Sequence, residues 1–140
     1  MWCMPRLNAK TVTILTVRDP VSSASWYERV LGFTKTRQYP SEDPHQVNLS
    51  RPEVNLELCL VRHADSSDER FDERRIGLDH LEFLVDTAAE LESWQRHFDD
   101  LGIEHSGIKQ PSWSSSHLLT FRDPDGIQLE LYWPSRGVGI

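Results

Sequence analysis

A tight turn followed by an alternating strand is encoded at residues 121–131, FRDPDGIQLEL. Asp at the first turn position, Pro at the second and Gly at the fourth are typical of a type I turn. From Ile127 onward apolar residues alternate with others, and side chains two positions apart share one face of a strand. The stretch therefore predicts a strand with one aliphatic face and an opposite face that carries Gln128, Glu130 and Tyr132.

The unit that ends in this strand occurs twice. An offset of 68 residues places Val17 on Val85 and Trp26 on Trp94. In each unit an apolar strand leads into a helix that ends in Leu-Gly, and three further strand-like stretches follow. A Thr87-x-x-Glu90 pattern indicates where the second helix begins.

The predicted order is βαβββ in both units. The strands are predicted at 11–17, 34–39, 46–49 and 54–61 in the first unit, and at 78–85, 104–108, 115–121 and 127–133 in the second, with the first helix at 21–31. Together these give modules 10–62 and 77–134 within one structural domain, joined by a polar linker at 63–76.

Length and charge narrow the class of protein. The chain has 140 residues, a formal charge of −7 and 38% hydrophobic residues, which predicts a globular protein. The acidic balance argues against nucleic-acid binding, and no apolar run suits a membrane span or a signal peptide. Cys3 and Cys59 cannot make a disulfide framework, so we expect a cytoplasmic protein.

The faces opposite the aliphatic ones carry candidate chemistry. His80 and Glu82 share such a face in one predicted strand, and Glu57 and Cys59 share one in another. A histidine with carboxylates at corresponding ends of repeated strands is a common shell for a divalent metal ion. Solvated polar faces are also common on sheets, so the metal site is a hypothesis at this stage.

Three stretches resemble the vicinal oxygen chelate superfamily, which includes glyoxalases, bleomycin-resistance proteins and extradiol dioxygenases. They are TILTVRD at 13–19 with SWYERVLGF at 25–33, GLDHLEFLV at 77–85, and FRDPDGIQLEL at 121–131. The resemblance implies an α+β fold in which two βαβββ modules form a U-shaped half-open barrel around a cleft. It also implies a homodimer.

The resemblance further implies a metal bound by His80, Glu130 and Glu57, with Zn, Mn, Ni or Fe(II) as suitable ions. Val12 stands where the family places its first His or Gln, and Val cannot ligate. A register shift of two would put Cys59 in place of Glu57.

The resemblance implies two alternative functions. One is a metal-dependent lyase, isomerase or related dioxygenase-like enzyme acting on a substrate with vicinal oxygens, in which Glu57 or Glu82 moves a proton. The other is a metal-independent protein that sequesters a drug-like or natural-product ligand, which the loss of a ligand at Val12 favours. The candidate substrate-binding residues are Trp113, Tyr132, His117, Cys59 and Gln128. Of these, His117 is also the one other strand histidine in the second unit that could ligate a metal.

Overall fold

The computed structural model describes residues 3–8, 10–66 and 68–136. The chain divides into two compact units, with the boundary between Asp68 and Glu69. Unit 1 contains β1 (Thr11–Thr16), α1 (Pro20–Leu31), β2 (Thr34–Tyr39), β3 (Gln46–Ser50) and β4 (Leu56–Val61), and unit 2 contains β5 (Leu81–Leu84), α2 (Ala88–Leu101), β6 (His117–Arg122) and β7 (Gln128–Trp133). The α+β class and the repeated strand–helix order are confirmed.

Unit 1 has a four-stranded sheet in the order β1-β4-β3-β2. β1 runs parallel to β4, and the remaining pairs are antiparallel. Tyr27 and Val30 of α1 are fully buried, as are Val47, Leu58 and Leu60 of the sheet. The helix therefore covers the aliphatic face and leaves the opposite face of the sheet for the predicted chemical residues.

Helix α1 is bounded by residues that suit its ends. Asp19 caps the first turn, because its side chain accepts hydrogen bonds from the backbone N–H groups of Val21 at 3.0 Å and Ser22 at 3.2 Å. Gly32 ends the helix at φ 69°, the left-handed conformation that glycine adopts without strain.

Unit 2 has a three-stranded sheet in the order β5-β7-β6, with β5 parallel to β7. Leu91 and Phe98 of α2 are buried, and the Phe98 ring lies 4.6 Å from that of Phe121 between ring centroids. The hydroxyl of Thr87 accepts a hydrogen bond from the Glu90 N–H at 3.1 Å, which confirms the predicted helix start. Among the described residues, no helix combines the length and apolarity needed to cross a bilayer.

The predicted strand at 104–108 is wrong. His105 forms an isolated bridge with Phe121, and Lys109 forms one with Leu118. Between these two bridges the chain advances four residues from His105 to Lys109 but only three from Leu118 to Phe121. The regular strand pairing is therefore interrupted between the two bridges, where Gly107 adopts φ 71°. Ser106 replaces one ladder bond, because its hydroxyl accepts the Thr120 N–H at 3.0 Å.

The turn at Asp123–Gly126 forms as predicted. The Gly126 N–H donates to the Asp123 carbonyl at 3.0 Å, and one Asp123 carboxylate oxygen accepts the N–H groups of Asp125 and Ile127 at 2.9 Å each. Part of the predicted linker packs on this turn, since the Phe71 N–H donates to the Asp125 carbonyl at 3.0 Å. Linker residue 67 lies outside the described residues.

Candidate functional site

The face of the unit 2 sheet that points away from α2 is ordered in rows across three strands. Glu130 of β7 pairs with Glu82 of β5 on one side and Thr120 of β6 on the other. The next row along the strands holds Tyr132, flanked by Leu84 and Leu118. Glu130 therefore lies at the centre of this face, with a second carboxylate beside it.

His80 lies one residue before β5 and completes a group of three metal-binding side chains. Its Nε2 is 3.8 Å from Oε2 of Glu82 and 3.8 Å from Oε2 of Glu130. One ligand atom from each of the three residues lies within 4.8 Å of the others. We call His80, Glu82 and Glu130 the unit 2 cluster.

The imidazole of His80 is oriented by its neighbour Asp79. Nδ1 lies 2.6 Å from Oδ1 of Asp79, so this nitrogen is engaged and Nε2 faces the carboxylates. The hydrogen bond to Asp79, together with the negative charges of Glu130 and Glu82, raises the pKa of His80 above its ordinary value. A carboxylate behind a ligating histidine is a common support of metal sites.

Glu130 is a buried carboxylate, with 8% of its surface exposed. Burial raises its pKa, and a hydrogen bond and charge repulsion from Glu82 act in the same direction, while His80 opposes them. Two carboxylates that share so small a space are best accommodated by a cation or a shared proton.

The donors of the unit 2 cluster fit a divalent metal ion. One imidazole nitrogen and two carboxylate oxygens are ligands that Zn, Mn, Ni and Fe(II) accept. Ligands about 2.1 Å from one ion are about 3 to 4 Å apart, and Nε2 lies 3.8 Å from each carboxylate oxygen, too far for a hydrogen bond.

The chemical face of unit 1 carries a different set of groups. Glu57 forms an ion pair with Nζ of Lys10 at 2.8 Å and accepts a hydrogen bond from Nδ2 of Asn48 at 2.7 Å. These two contacts lower the pKa of Glu57 and keep it ionised. Cys59 is buried beside Asn48, and burial raises the pKa of its thiol.

Strand pairing identifies which residue of unit 1 corresponds to Glu130. Thr13 pairs with Leu58, and Leu81, which the offset of 68 aligns with Thr13, pairs with Leu129. The residue after Leu58 is Cys59, so Cys59 corresponds to Glu130 and Glu57 corresponds to Gln128. The two positions that match His80 and Glu130 are thus Val12 and a buried thiol.

The remaining predicted substrate-binding residues are dispersed within unit 2. Tyr132 shares the face of Glu130, and the side chain of Gln128 lies 3.4 Å from Nη2 of Arg122. His117 stacks on Trp133 at 5.2 Å between ring centroids, and the alternation of β6 puts it on the α2 side, away from Glu130. Trp113 is 81% exposed in a loop.

Sequence reasoning missed the support that Asp79 gives to His80, and it treated Glu82 as a proton carrier rather than as a possible ligand. The adjacency of Asp79 and His80 in the sequence was the available signal. Because neighbouring residues of an extended strand point to opposite faces, that adjacency does not predict a contact. Asp79 and His80 precede β5, where the alternation does not hold.

The fold and the unit 2 cluster define a class of protein, namely a small α+β protein built from repeated units, with a metal-type donor set on the sheet face opposite the helix. The chain belongs to the Glyoxalase/Bleomycin resistance protein/Dioxygenase superfamily, whose family model matches residues 9–131. This match confirms the resemblance to the vicinal oxygen chelate superfamily. The comparison with curated proteins finds no match.

Solved structures share the fold over nearly the whole chain. A glyoxylase/bleomycin resistance protein/dioxygenase domain from Frankia sp. EAN1pec is 25% identical, with a TM-score of 0.77 over 96% of each chain. An antibiotic-binding protein from Streptomyces sp. CB03234 is 18% identical, with a TM-score of 0.70 over 94% of this chain and 100% of that one. A fosfomycin-resistance protein from Listeria monocytogenes, solved with Mn(II) and dihydroxypropylphosphonic acid, is 16% identical, with a TM-score of 0.68 over 94% and 95%.

Proposed function

We propose that the protein is a metal-dependent enzyme, a lyase or isomerase, that acts on a small molecule with vicinal oxygens. The observation that carries this proposal is the unit 2 cluster, with three donor atoms within 4.8 Å of one another. Membership of a superfamily that includes glyoxalases agrees with it. Three protein ligands would leave positions open for substrate oxygens.

We assign a role in metal binding, proton transfer or both to each residue of the unit 2 cluster. His80 presents Nε2 because Asp79 holds Nδ1, and Glu130 supplies a buried carboxylate on the rigid strand β7. A divalent ion held there would polarise the substrate oxygens and stabilise negative charge that develops on them. Glu82 has the most exposed side chain of the three, at 39%, so we propose that it serves both as the third ligand and as the group that transfers a proton to or from the substrate.

We also propose a functional role for Glu57 of unit 1, which the family resemblance implies as a metal ligand or proton carrier. Its ion pair with Lys10 and its hydrogen bond from Asn48 hold it as a carboxylate. A carboxylate whose pKa is lowered is a weak base, so Glu57 suits a ligand or a charge-stabilising group better than a proton acceptor. In the ligand role it would have to leave Lys10.

Sequestration of an organic ligand without a metal is the second candidate. It is favoured by the open face of β1, where Val12 is 48% and Ile14 is 62% exposed in place of metal ligands. The structural neighbour from Streptomyces that binds an antibiotic has the same fold. Tyr132 and the exposed Trp113 would report on such a ligand.

Elemental analysis of protein purified without chelator separates the two functions. We expect about one divalent ion per chain in the parent, lost in His80→Ala and retained in His63→Ala, whose exposed imidazole is the matched control. Added Mn or Zn should raise the thermal midpoint of the metal-depleted parent but not of His80→Ala. A parent without bound metal or metal-dependent stabilisation would refute the enzyme proposal, and tryptophan fluorescence that saturates with apolar ligands would then support sequestration.

A further inference from the structure

A cavity of unit 2, separate from the unit 2 cluster, lies against the turn at Asp123–Gly126. Its volume is about 440 Å³. The residues that line it are Arg70, Phe71, Asp72, Glu73, Arg74, Arg122 and Gly126. We call this space the arginine cavity, because three of its side chains are guanidinium groups.

Two of the three arginines are already paired with carboxylates of the cavity. Arg74 donates to Asp72 from Nε at 2.9 Å and from Nη2 at 3.1 Å. Arg122 donates to Glu73 from Nη1 at 3.1 Å and from Nη2 at 2.8 Å, and this pair lowers the pKa of Glu73 to about 2. Both acidic groups of the cavity are therefore occupied by these two guanidinium groups.

Arg70 is the third arginine of the cavity, and its positive charge is not balanced by a carboxylate of the cavity. Within residues 3–8, 10–66 and 68–136, no acidic side chain pairs with it. Three guanidinium groups against two carboxylates leave the cavity with one excess positive charge. An arginine that is always charged and has five N–H donors is well suited to bind an anion in this position.

Gly126 brings the unpaired arginine close to Arg122. Nη2 of Arg70 lies 3.0 Å, and its Nε 3.2 Å, from the place where a Cβ at residue 126 would stand, so the Nε–Nη2 edge of the guanidinium group approaches this glycine closely. Nη1 of Arg122 donates to the Gly126 carbonyl at 2.8 Å. Two guanidinium groups thus meet at one residue, and an anion between them would reduce their mutual repulsion.

We propose that the arginine cavity binds the oxyanion group, phosphate or carboxylate, of a small molecule. Arg70 supplies the charge-assisted hydrogen bonds and the excess positive charge, while Arg74 and Arg122 stay paired with their carboxylates. Phe71 offers an apolar wall to the rest of such a molecule. This site uses none of the residues of the unit 2 cluster, so it does not depend on the proposed enzymatic function.

Nuclear magnetic resonance titration of the full chain tests the site. Inorganic phosphate and acetate would be added separately at constant ionic strength, with chloride as the reference anion. We expect saturable shifts of the backbone amide signals of Phe71 and Gly126 with at least one of the two oxyanions. Saturation by phosphate assigns a phosphate-bearing ligand, saturation by acetate assigns a carboxylate, and saturation by neither refutes the proposal.

Variants locate the binding group. Loss of a charge-assisted hydrogen bond is worth about a factor of ten or more in affinity, so Arg70→Gln should weaken oxyanion binding about ten-fold. Arg70→Lys keeps the positive charge but not the planar guanidinium group with its two parallel N–H donors, so it should lose less oxyanion affinity than Arg70→Gln. Arg96→Gln is the matched control, because Arg96 is exposed in α2 and bonds only Ser93 among the contacts described.

The same titration in His80→Ala protein separates this site from the metal. Saturation should be unchanged there, since no residue of the arginine cavity is a proposed metal ligand. If Arg70→Gln bound as tightly as the parent with an unchanged circular dichroism spectrum, or if His80→Ala abolished binding, the proposal would be wrong.

Discussion

The contact between Asp79 and His80 decides how the imidazole can be used. With Nδ1 held at 2.6 Å by a carboxylate, only Nε2 remains to face Glu82 and Glu130. The same carboxylate raises the pKa of His80, so a proton competes with a metal ion up to a higher pH than for an isolated histidine. Asp79 thus acts as a positioning residue: it orients the imidazole of His80, and it lowers the affinity of the site for a metal ion at low pH.

Asp79→Ala separates these two effects. Loss of the supporting carboxylate should weaken Mn or Zn binding about ten-fold at pH 8, above the ordinary pKa of histidine. The pH at which metal binding is half lost should fall, because the pKa of His80 returns toward its ordinary value. Isothermal titration calorimetry across pH measures both, with Asp86→Ala as an exposed acidic control. An unchanged affinity at pH 8 would show that Asp79 does not orient the ring.

At the level of single residues, the sequence led to His80, Glu82 and Glu130 because alternation along a strand assigns side chains to faces. It could not decide between Glu57 and Cys59. The offset is 68 between Thr13 and Leu81 but 71 between their strand partners, Leu58 and Leu129. The two offsets differ by three residues because the segments between the first and last strands of the two units differ in length. Only the pairing register of the strands therefore shows which residue of β4 corresponds to Glu130.

Among the elements, both helices and the strands β1 to β7 followed from patterns that act locally, such as caps, Leu-Gly ends and alternation, and seven of the eight predicted strands form. The segment 104–108 has strand-like residues yet forms only isolated bridges. Its geometry depends on a contact with β6, where the Ser106 hydroxyl replaces a backbone acceptor, and on Gly107 in a left-handed conformation. A hydroxyl that competes with the ladder is a tertiary effect that composition does not reveal.

The cap of α1 provides a test at this scale. Asp19→Ala removes the acceptor of two backbone N–H groups and should lower the free energy of unfolding by about 1 kcal/mol. Asp19→Asn keeps an acceptor oxygen, so its free energy of unfolding should fall by less than half as much as that of Asp19→Ala. Urea denaturation at pH 7 compares the three proteins. Equal losses in both variants would mean that the charge at the helix N-terminus, rather than the hydrogen bonds, stabilises α1.

For the whole molecule, the carboxylates determine how stability depends on pH. Side-chain hydrogen bonds lower the pKa of four carboxylates. Asp19 is bonded to Ser22 and Glu57 to Lys10. Asp72 and Glu73 are bonded to arginines, which lower the pKa of each to about 2. A lowered pKa in the folded state contributes stability above the unfolded value, and this contribution is lost as pH falls through the folded value. The free energy of unfolding should therefore decline from about pH 4.5 toward pH 2.

Glu130 and His80 contribute with the opposite sign, because their pKa values are raised. A raised pKa contributes stability below the unfolded value, and this contribution is lost as pH rises through the folded value. The free energy of unfolding should therefore decline above about pH 4.5 because of Glu130 and above about pH 6.5 because of His80. Urea denaturation of metal-free protein between pH 2.5 and 8.5 measures both limbs. His80→Gln should remove the decline that comes from the imidazole while leaving the acid limb intact, and Glu73→Gln should reduce only the acid limb. A profile that stays level below pH 4.5 would contradict the ionised pairs of Asp72 and Glu73, and with them the charge balance that leaves Arg70 as the unpaired arginine of its cavity.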